Sequence, residues 1–504
     1  MEQDQQAHSM PPRRAILSIV PVLGGMAMCH LFAAAWVYAG NRALADMVRR
    51  IADQGYQPVP NLLVMDRLYA VSTALYGAIL FTLSLGAGLS LAAFGAWWLW
   101  KNPLREDKVS AGVFCLAWLA LTVWVNTSGF APWPTLLCIA VPAAVLALCR
   151  TLLRKPSSES SLFRSTAFLI PLVVATLVWL PQYSPGLFTQ MRDGLLLSNP
   201  VGEKINDFYY RYTLYPANVF KSQAQRQLHT AYVDAEGRGI DRELLEQLLA
   251  RNDYIPVDSP DNVDLVVRAG EGAVELVHQG RVVLAPERDG FLERPGPFLS
   301  RFSHLTDRHA PFRTLVFFCL VPGFPIFVYA LFYSAFFVAA LALFPVLRAR
   351  RVAGIGCLAL GLLMLVPVYR VAGDSHEGAD LMEMLESPES MERVAGLRSA
   401  WKERVDLCES GVHQRFVDSP HVAERYWVAR CLARCDGMSG FSALLEMADD
   451  GHPNVECMAV YSLARTGAPQ ALPPVLEKVR QSPDWYVQMY AYKALERLGW
   501  RQGK

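Results

Sequence analysis

Charge is what this chain has least of. Asp, Glu, Lys and Arg make up 18% of its 504 residues, against about 25% in an ordinary soluble domain. Neither sign dominates, because 47 basic residues balance 46 acidic ones. That removes the basic field of a nucleic-acid-binding protein, and equally an acidic solvating tail. Ten cysteines are too few for a disulfide scaffold. Catalytic patterns are missing as well: no glycine-rich phosphate loop, nucleophile elbow or Cys–His arrangement occurs. No cofactor and no nucleic-acid partner are expected.

Apolar length takes the place of these features. A bilayer core about 30 Å thick needs roughly 20 apolar residues in helix. Seven stretches meet or approach this: 15–39, 68–100, 110–125, 133–149, 166–180, 324–347 and 352–368. None contains Asp, Glu, Lys or Arg in its core, which argues against coupled transport, since ion and proton relays need ionisable groups there. His30 reads as a helix-to-helix hydrogen-bonding residue. Gly86, Gly88 and Gly95, like Gly354, Gly356 and Gly361, read as close-packing positions. The first run exceeds the core of a cleaved signal and is expected to be a retained anchor. An apolar preface, 314–321, is cut off by Pro322-Gly323-Phe324-Pro325 and reads as an interfacial or protein-buried piece.

Basic residues in short loops set orientation. They cluster at Arg13 and Arg14, at Lys101, Arg105 and Lys108, at Arg150, Arg154, Lys155 and Arg164, and at Arg348, Arg350 and Arg351. Alternate loops carry them, as a bacterial inner-membrane protein with seven spans, a cytoplasmic N-terminus and a periplasmic C-terminus requires. Loop 41–67 disagrees, with Arg42, Arg49, Arg50 and Arg67 on the wrong side. Its Leu44, Met47, Val48 and Ile51 follow helical spacing, so an amphipathic helix near 41–54 is expected on the membrane surface, its arginines snorkelling to lipid headgroups.

The chain thus divides into a membrane part (1–182), a central segment (183–312), two further spans (313–372) and a C-terminal segment (373–504). The central segment predicts helices from Asn199-Pro200, from Tyr215-Pro216 through Leu228, and at 241–250. Alternating strands follow around Val263–Val267, Val274–Leu276 and Val282–Leu284, with a turn at Gln279-Gly280. The expectation is an α+β domain whose tyrosines 209, 210, 212 and 215 pack on the sheet, with a docking surface near lipid headgroups as the alternative.

The C-terminal segment repeats. Pro388, Pro420, Pro453 and Pro483 recur at intervals of 32, 33 and 30 residues. Each follows Ser or His and precedes a helical pattern. The last three units end in Leu432-Ala433-Arg434, Leu463-Ala464-Arg465-Thr466-Gly467 and Leu495-Glu496-Arg497-Leu498-Gly499. Val455, Ala459 and Leu463 match Val487, Ala491 and Leu495. These residues resemble short bacterial HEAT repeats, of the type also found in the phycobilin-lyase group. The resemblance covers about residues 379–500 and implies an α-solenoid used for protein contacts.

The fold class expected is therefore a polytopic helical membrane protein carrying an extracytoplasmic α+β domain and a HEAT-like solenoid. Its leading function is a scaffold for envelope proteins, with membrane lipid and a protein as partners. Trp427, Trp485, Tyr486, Tyr490 and Tyr492 are the candidate hot spots. The alternative is an enzyme acting on a lipid-linked substrate through Asp46 and Asp53, with His304 beside them; a solvated helix face explains the aspartates as well. His304, Asp307 and His309 are spaced for a metal but lack a companion pair, which favours ordinary surface histidines. Asp374, His376 and Glu377 form a similar polar junction. Cys431 and Cys435 share a helix face and are expected as free buried thiols; pairing of one with Cys408 is the alternative in an oxidising compartment.

Overall fold

The computed structural model describes residues 12–153, 169–182, 186–234, 241–270, 272–372, 381–435 and 438–503. They form two units: Met1–Val37, Ala74–Leu187 and Arg308–Val366 in one, Tyr38–Thr73, Phe188–Asp307 and Pro367–Lys504 in the other.

The first unit is built from apolar helices. Among the described residues, six helices are long and apolar enough to cross a membrane: Ile19–Asp53, Val71–Lys101, Lys108–Val125, Pro132–Leu152, Ala310–Leu341 and Val346–Tyr369. The expected span at 166–180 is represented by the shorter helix Ile170–Trp179, because 154–168 lie outside the described residues. It packs on Val346–Leu363, where the Trp179 indole N–H donates to the Gly361 carbonyl at 3.0 Å.

The preface at 314–321 is not a separate piece. Helix runs on through a wide turn at Cys319–Gly323 into Phe324–Leu341. Proline cannot donate to the ladder and its ring crowds the preceding turn; a π-type turn absorbs both defects. A second such turn, Thr82–Gly86, lies in the helix that packs against it. Glycine makes the approach feasible, since a Cβ on Gly323 would stand 2.9 Å from Gly88 Cα. A Cβ on Gly95, by contrast, would meet nothing within 4 Å, so close packing does not explain that glycine. His30 Nδ1 meets Thr82 Oγ1 at 2.9 Å, the helix-to-helix bond expected of it.

In the second unit, the central segment holds a five-stranded sheet, ordered β2-β1-β3-β4-β5. The strands are β1 His229–Asp234, β2 Tyr254–Pro256, β3 Leu265–Ala269, β4 Val274–His278 and β5 Arg281–Leu284. Strand β1 pairs in parallel with β2 and β3, whereas β3, β4 and β5 are antiparallel. The helix Arg242–Ala250, capped by Asp241, links β1 to β2. Asn199 caps Pro200–Tyr212 with its side chain, as the sequence predicts. The next helix ends early, at Phe220; Leu228 instead leads into β1.

The C-terminal segment stacks helix pairs. The second helix of each pair is Ser390–Glu403, Val422–Leu432, Pro453–Thr466 and Trp485–Arg497, and each packs on the next. One position holds the loops in register. Glu392 accepts from the Ser387 hydroxyl and Glu424 from Ser419. Glu456 accepts from the Gly451 N–H, and Gln488 donates to the Ser482 carbonyl. These four residues are 32 apart. Neighbouring units are tied by Arg393 to Glu424 at 2.7 Å and Arg425 to Asp450 at 2.6 Å. Both pairs are largely buried, so removing one partner would strand the other.

No break occurs at Gly40-Asn41: helix continues from Pro12 to Asp53. Beyond Tyr38 the apolar face, Leu44, Ala45, Val48 and Ile51, is buried, with Ile51 in one core with solenoid side chains. The arginines of this segment make contacts inside the same unit. Arg50 donates to the Ser259 and Asp261 carbonyls. Arg42 and Arg49 stack on Tyr69, and Arg67 reaches the Pro483 carbonyl. These contacts hold the segment within the second unit, with Arg42, Arg49 and Arg67 exposed and Arg50 half-buried.

Candidate interaction surface of the solenoid

The tyrosine helix Pro200–Tyr212 packs on solenoid helices rather than on the sheet, which corrects the sequence expectation. Tyr210 meets Tyr486 with ring centres 4.8 Å apart, and Tyr215 meets Trp485 edge-on at 5.2 Å. Thr213 Oγ1 bonds the Tyr486 hydroxyl, while Asn206 donates to Asn454. Upstream, Asp193 accepts from the Trp427 indole N–H at 2.7 Å and from Arg192. Arg192 in turn lies 3.8 Å over the Tyr426 ring.

Those contacts decide where the five candidate hot spots stand. Trp427, Trp485 and Tyr492 are buried, and Tyr486 is half-buried. Tyr492 donates its hydroxyl to Asp253. Tyr490 is half-buried close to Tyr426 and Arg192, and burial pushes its hydroxyl pKa up to about 12. The segments 192–215 and 253 thus already occupy the aromatic face. The sequence offers these residues as hot spots, some of which must also serve the core, and cannot tell an internal partner from an external one.

A second internal ligand is Asn61. Its side-chain amide donates to the carbonyls of Val479, Arg480 and Ser482, at the end of the helix Leu472–Gln481. Its backbone N–H donates to Gln488. Helix-end carbonyls have no partner inside the helix; here a loop from the front of the chain supplies it.

One edge of the solenoid is left uncovered by such contacts, and it is basic. Arg404 follows the end of Ser390–Glu403, Arg430 lies in the last turn of Val422–Leu432 with Arg434 two residues beyond it, and Arg465 and Arg497 lie in the last turns of the other two second helices. Three guanidinium groups surround one indole: Arg434, Arg430 and Arg465 lie 3.6, 4.8 and 5.2 Å from the Trp401 ring centre. Arg434 also donates to the Trp401 carbonyl, and Arg465 donates to the Tyr461 hydroxyl at 3.4 Å. None of these five arginines has a carboxylate within 4.0 Å among the described residues. Burial and then repulsion from Arg404, Arg465 and Arg430 lower the Arg434 pKa. The bond from Arg465, aided by Arg497 and Arg430, lowers that of Tyr461. The signal was in the repeat itself, as the Arg closing each of the last three units.

A cavity of about 590 Å³ lies between the sheet and the last solenoid helix, lined by Arg226, His229, Asp253, Tyr254, Lys493 and Glu496 among others. Burial holds His229 down to about 4, and burial beside Asp253 lifts Glu496 to about 7.

Among the described residues, Asp46, Asp53 and His304 form no group with ligand atoms within 4.8 Å of one another. Asp46 and Asp53 stand exposed opposite the buried helix face, and His304 is exposed at the end of Pro295–Leu305. His309 is no surface histidine: it is buried beside Trp36 and Phe312. With His304 and Asp307 it forms no ligand group; among the described residues only Asp406, Cys408 and Cys435 bring ligand atoms within 4.8 Å of one another. Asp374, His376 and Glu377 lie outside the described residues. Cys408 and Cys435 form a disulfide, which overturns the expectation of free thiols for Cys435; Cys431 is free and buried. Gly440 makes room for the bridge, since a Cβ there would lie 2.7 Å from that of Cys435.

Residues 410–496 match the family model for HEAT repeats. No curated protein and no solved structure matches the chain.

Proposed function

We propose that this protein is a membrane-anchored scaffold whose solenoid holds a protein partner on the extracytoplasmic side. The observation that carries the reading is the HEAT match at 410–496, because stacked repeats generally serve as extended protein-binding surfaces.

Sidedness is supported by parity. Asn61 and Arg67 bond residues of the last repeat, and Arg50 bonds the central segment; these pieces therefore share one side of the membrane. Between Arg67 and Phe188 the chain must then cross an even number of times. Three long apolar helices lie in that interval, so the segment containing Ile170–Trp179 supplies the fourth crossing, and the total becomes seven. Basic loops on the opposite side favour a cytoplasmic N-terminus. The Cys408–Cys435 bridge suits an oxidising compartment.

The test places photo-crosslinking residues across the solenoid surface of the full-length, membrane-embedded protein. Adducts with one defined envelope protein at adjacent positions support the scaffold; adducts with lipid alone, or none at any position, refute it. An enzyme working through Asp46 and Asp53 requires loss of function on their replacement by alanine.

A further inference from the structure

The arginine edge adjoins the aromatic face that the chain covers itself, since Arg430 also lies 5.1 Å from the Trp427 ring centre. Arg404, Arg434, Arg465 and Arg497, however, take no part in the covering contacts. A bland account exists, since cations at helix C-termini offset the negative end of the helix dipole. One residue per helix would meet that need. Here the end of Val422–Leu432 and the turn after it supply both Arg430 and Arg434, and three guanidinium groups crowd one tryptophan. The Nε of Arg430 is buried with no hydrogen-bond partner. Arg404 and Arg497 are exposed, and Arg434 and Arg465 partly so. Mutual repulsion with no carboxylate partner among the described residues is a cost that an incoming anion would relieve. Guanidinium favours carboxylate, which it grips with two parallel hydrogen bonds.

Spacing narrows the class of ligand. Packed helices lie about 8–10 Å apart, so the successive helix ends that carry these arginines recur at that interval, although three of the guanidinium groups converge on Trp401. An extended polyproline-II chain has three residues per turn and rises about 3.1 Å per residue. Every third side chain therefore returns to the same face after about 9 Å. Exposed parts of Trp401 and Tyr461 between the arginines provide the aromatic surface on which such chains dock.

We propose that this edge, Arg404, Arg430, Arg434, Arg465 and Arg497 around Trp401 and Tyr461, binds an extended acidic segment of a partner protein carrying a carboxylate at every third residue. The inference rests on the scaffold reading above and gives its partner a chemistry. Anionic lipid is the rival occupant, and the repeats, which serve protein contacts, favour the peptide.

The experiment titrates the full-length protein, held in neutral detergent, with a fluorescent Ser/Gly peptide bearing glutamate at every third position. A peptide of equal composition with its glutamates contiguous is the control. The spaced peptide should bind at least about ten-fold more tightly and weaken steeply with salt. The double variant R434E/R465E should remove that binding, and R404Q/R497Q, at exposed positions, should weaken it several-fold with an unchanged melting temperature. Equal affinity for both peptides, or binding indifferent to R404Q/R497Q, overturns the proposal. So does binding of phosphatidylglycerol vesicles through these arginines without binding of peptide. If crosslinks elsewhere on the solenoid capture a protein while the peptide fails here, the scaffold survives and only this inference falls.

Discussion

Trp427 in the solenoid and Asp193 in the central segment, 234 residues apart, share a buried hydrogen bond of 2.7 Å. The carboxylate also neutralises Arg192 at 2.6 Å. Trp427→Phe removes one bond to a charged acceptor and should cost about 2 kcal/mol. Asp193→Ala strands a mostly buried guanidinium and should cost about 3–5 kcal/mol. Thermal unfolding of each variant and of the pair checks this. Strictly additive losses would show that the two residues do not act together.

Asn61 gives the second prediction. Asn61→Ala removes the side-chain donor from the Val479 and Arg480 carbonyls, leaves the Ser482 carbonyl to Gln488 alone, and frees the loop around it. Loss of about 2 kcal/mol is expected, together with faster proteolysis between Gly55 and Asp66. An unchanged digestion rate would mean that the loop is held by its apolar residues, such as Tyr56 and Val59.

Much of this fold was legible because its signals are local. Proline spacing marked the repeat units, and Asn199-Pro200 marked a helix start that the structure reproduces. The strands β3, β4 and β5 alternate over several residues and were readable. Strand β2 has only three residues, and β1 begins with His229 and Thr230, both buried, so neither offers a period. The helix continuing through Pro322 was hidden because the wide turn at Cys319–Gly323 that accommodates the proline has no periodic signature, and the close approach of Gly88 and Gly323 is a property of two helices. The same holds for the five aromatic candidates. Their pattern announces burial, but the covering segment carries its decisive residue, Asp193, in a stretch with no motif. The basic edge was written in the repeat endings, yet its crowding around Trp401 exists only after stacking.

The acid pair behind the last helix predicts a pH response. Burial and the neighbouring Asp253 lift Glu496 to about 7 from 4.5. The folded state therefore holds an extra proton between those values, and stability falls as pH rises through that window, levelling above it. His229, held near 4 by burial, acts oppositely below about 6.5. Tyr492, Lys493 and Arg501 also face the pair. The readout is thus the difference between Glu496→Gln and the parent. The variant should gain in relative melting temperature from about pH 5 to pH 8; a constant difference would exclude the shared proton.

The last prediction concerns compartment. Cys408 and Cys435 close a loop with a sequence separation of 27, for which the chain-entropy account gives about 3–4 kcal/mol of stabilisation. Cys408→Ser should lower the melting temperature by that equivalent, and reductant should lower the parent's without affecting the variant's. In intact cells the same pair reports sidedness. A mass-tagging maleimide, added after denaturation, should modify Cys408 and Cys435 only when a reductant has been supplied first. Were both thiols tagged without reduction, the bridge would be absent in the cell. The solenoid would then lose its strongest claim to an oxidising compartment, and parity would carry the central segment and the loop around Asn61 to the cytoplasmic side with it.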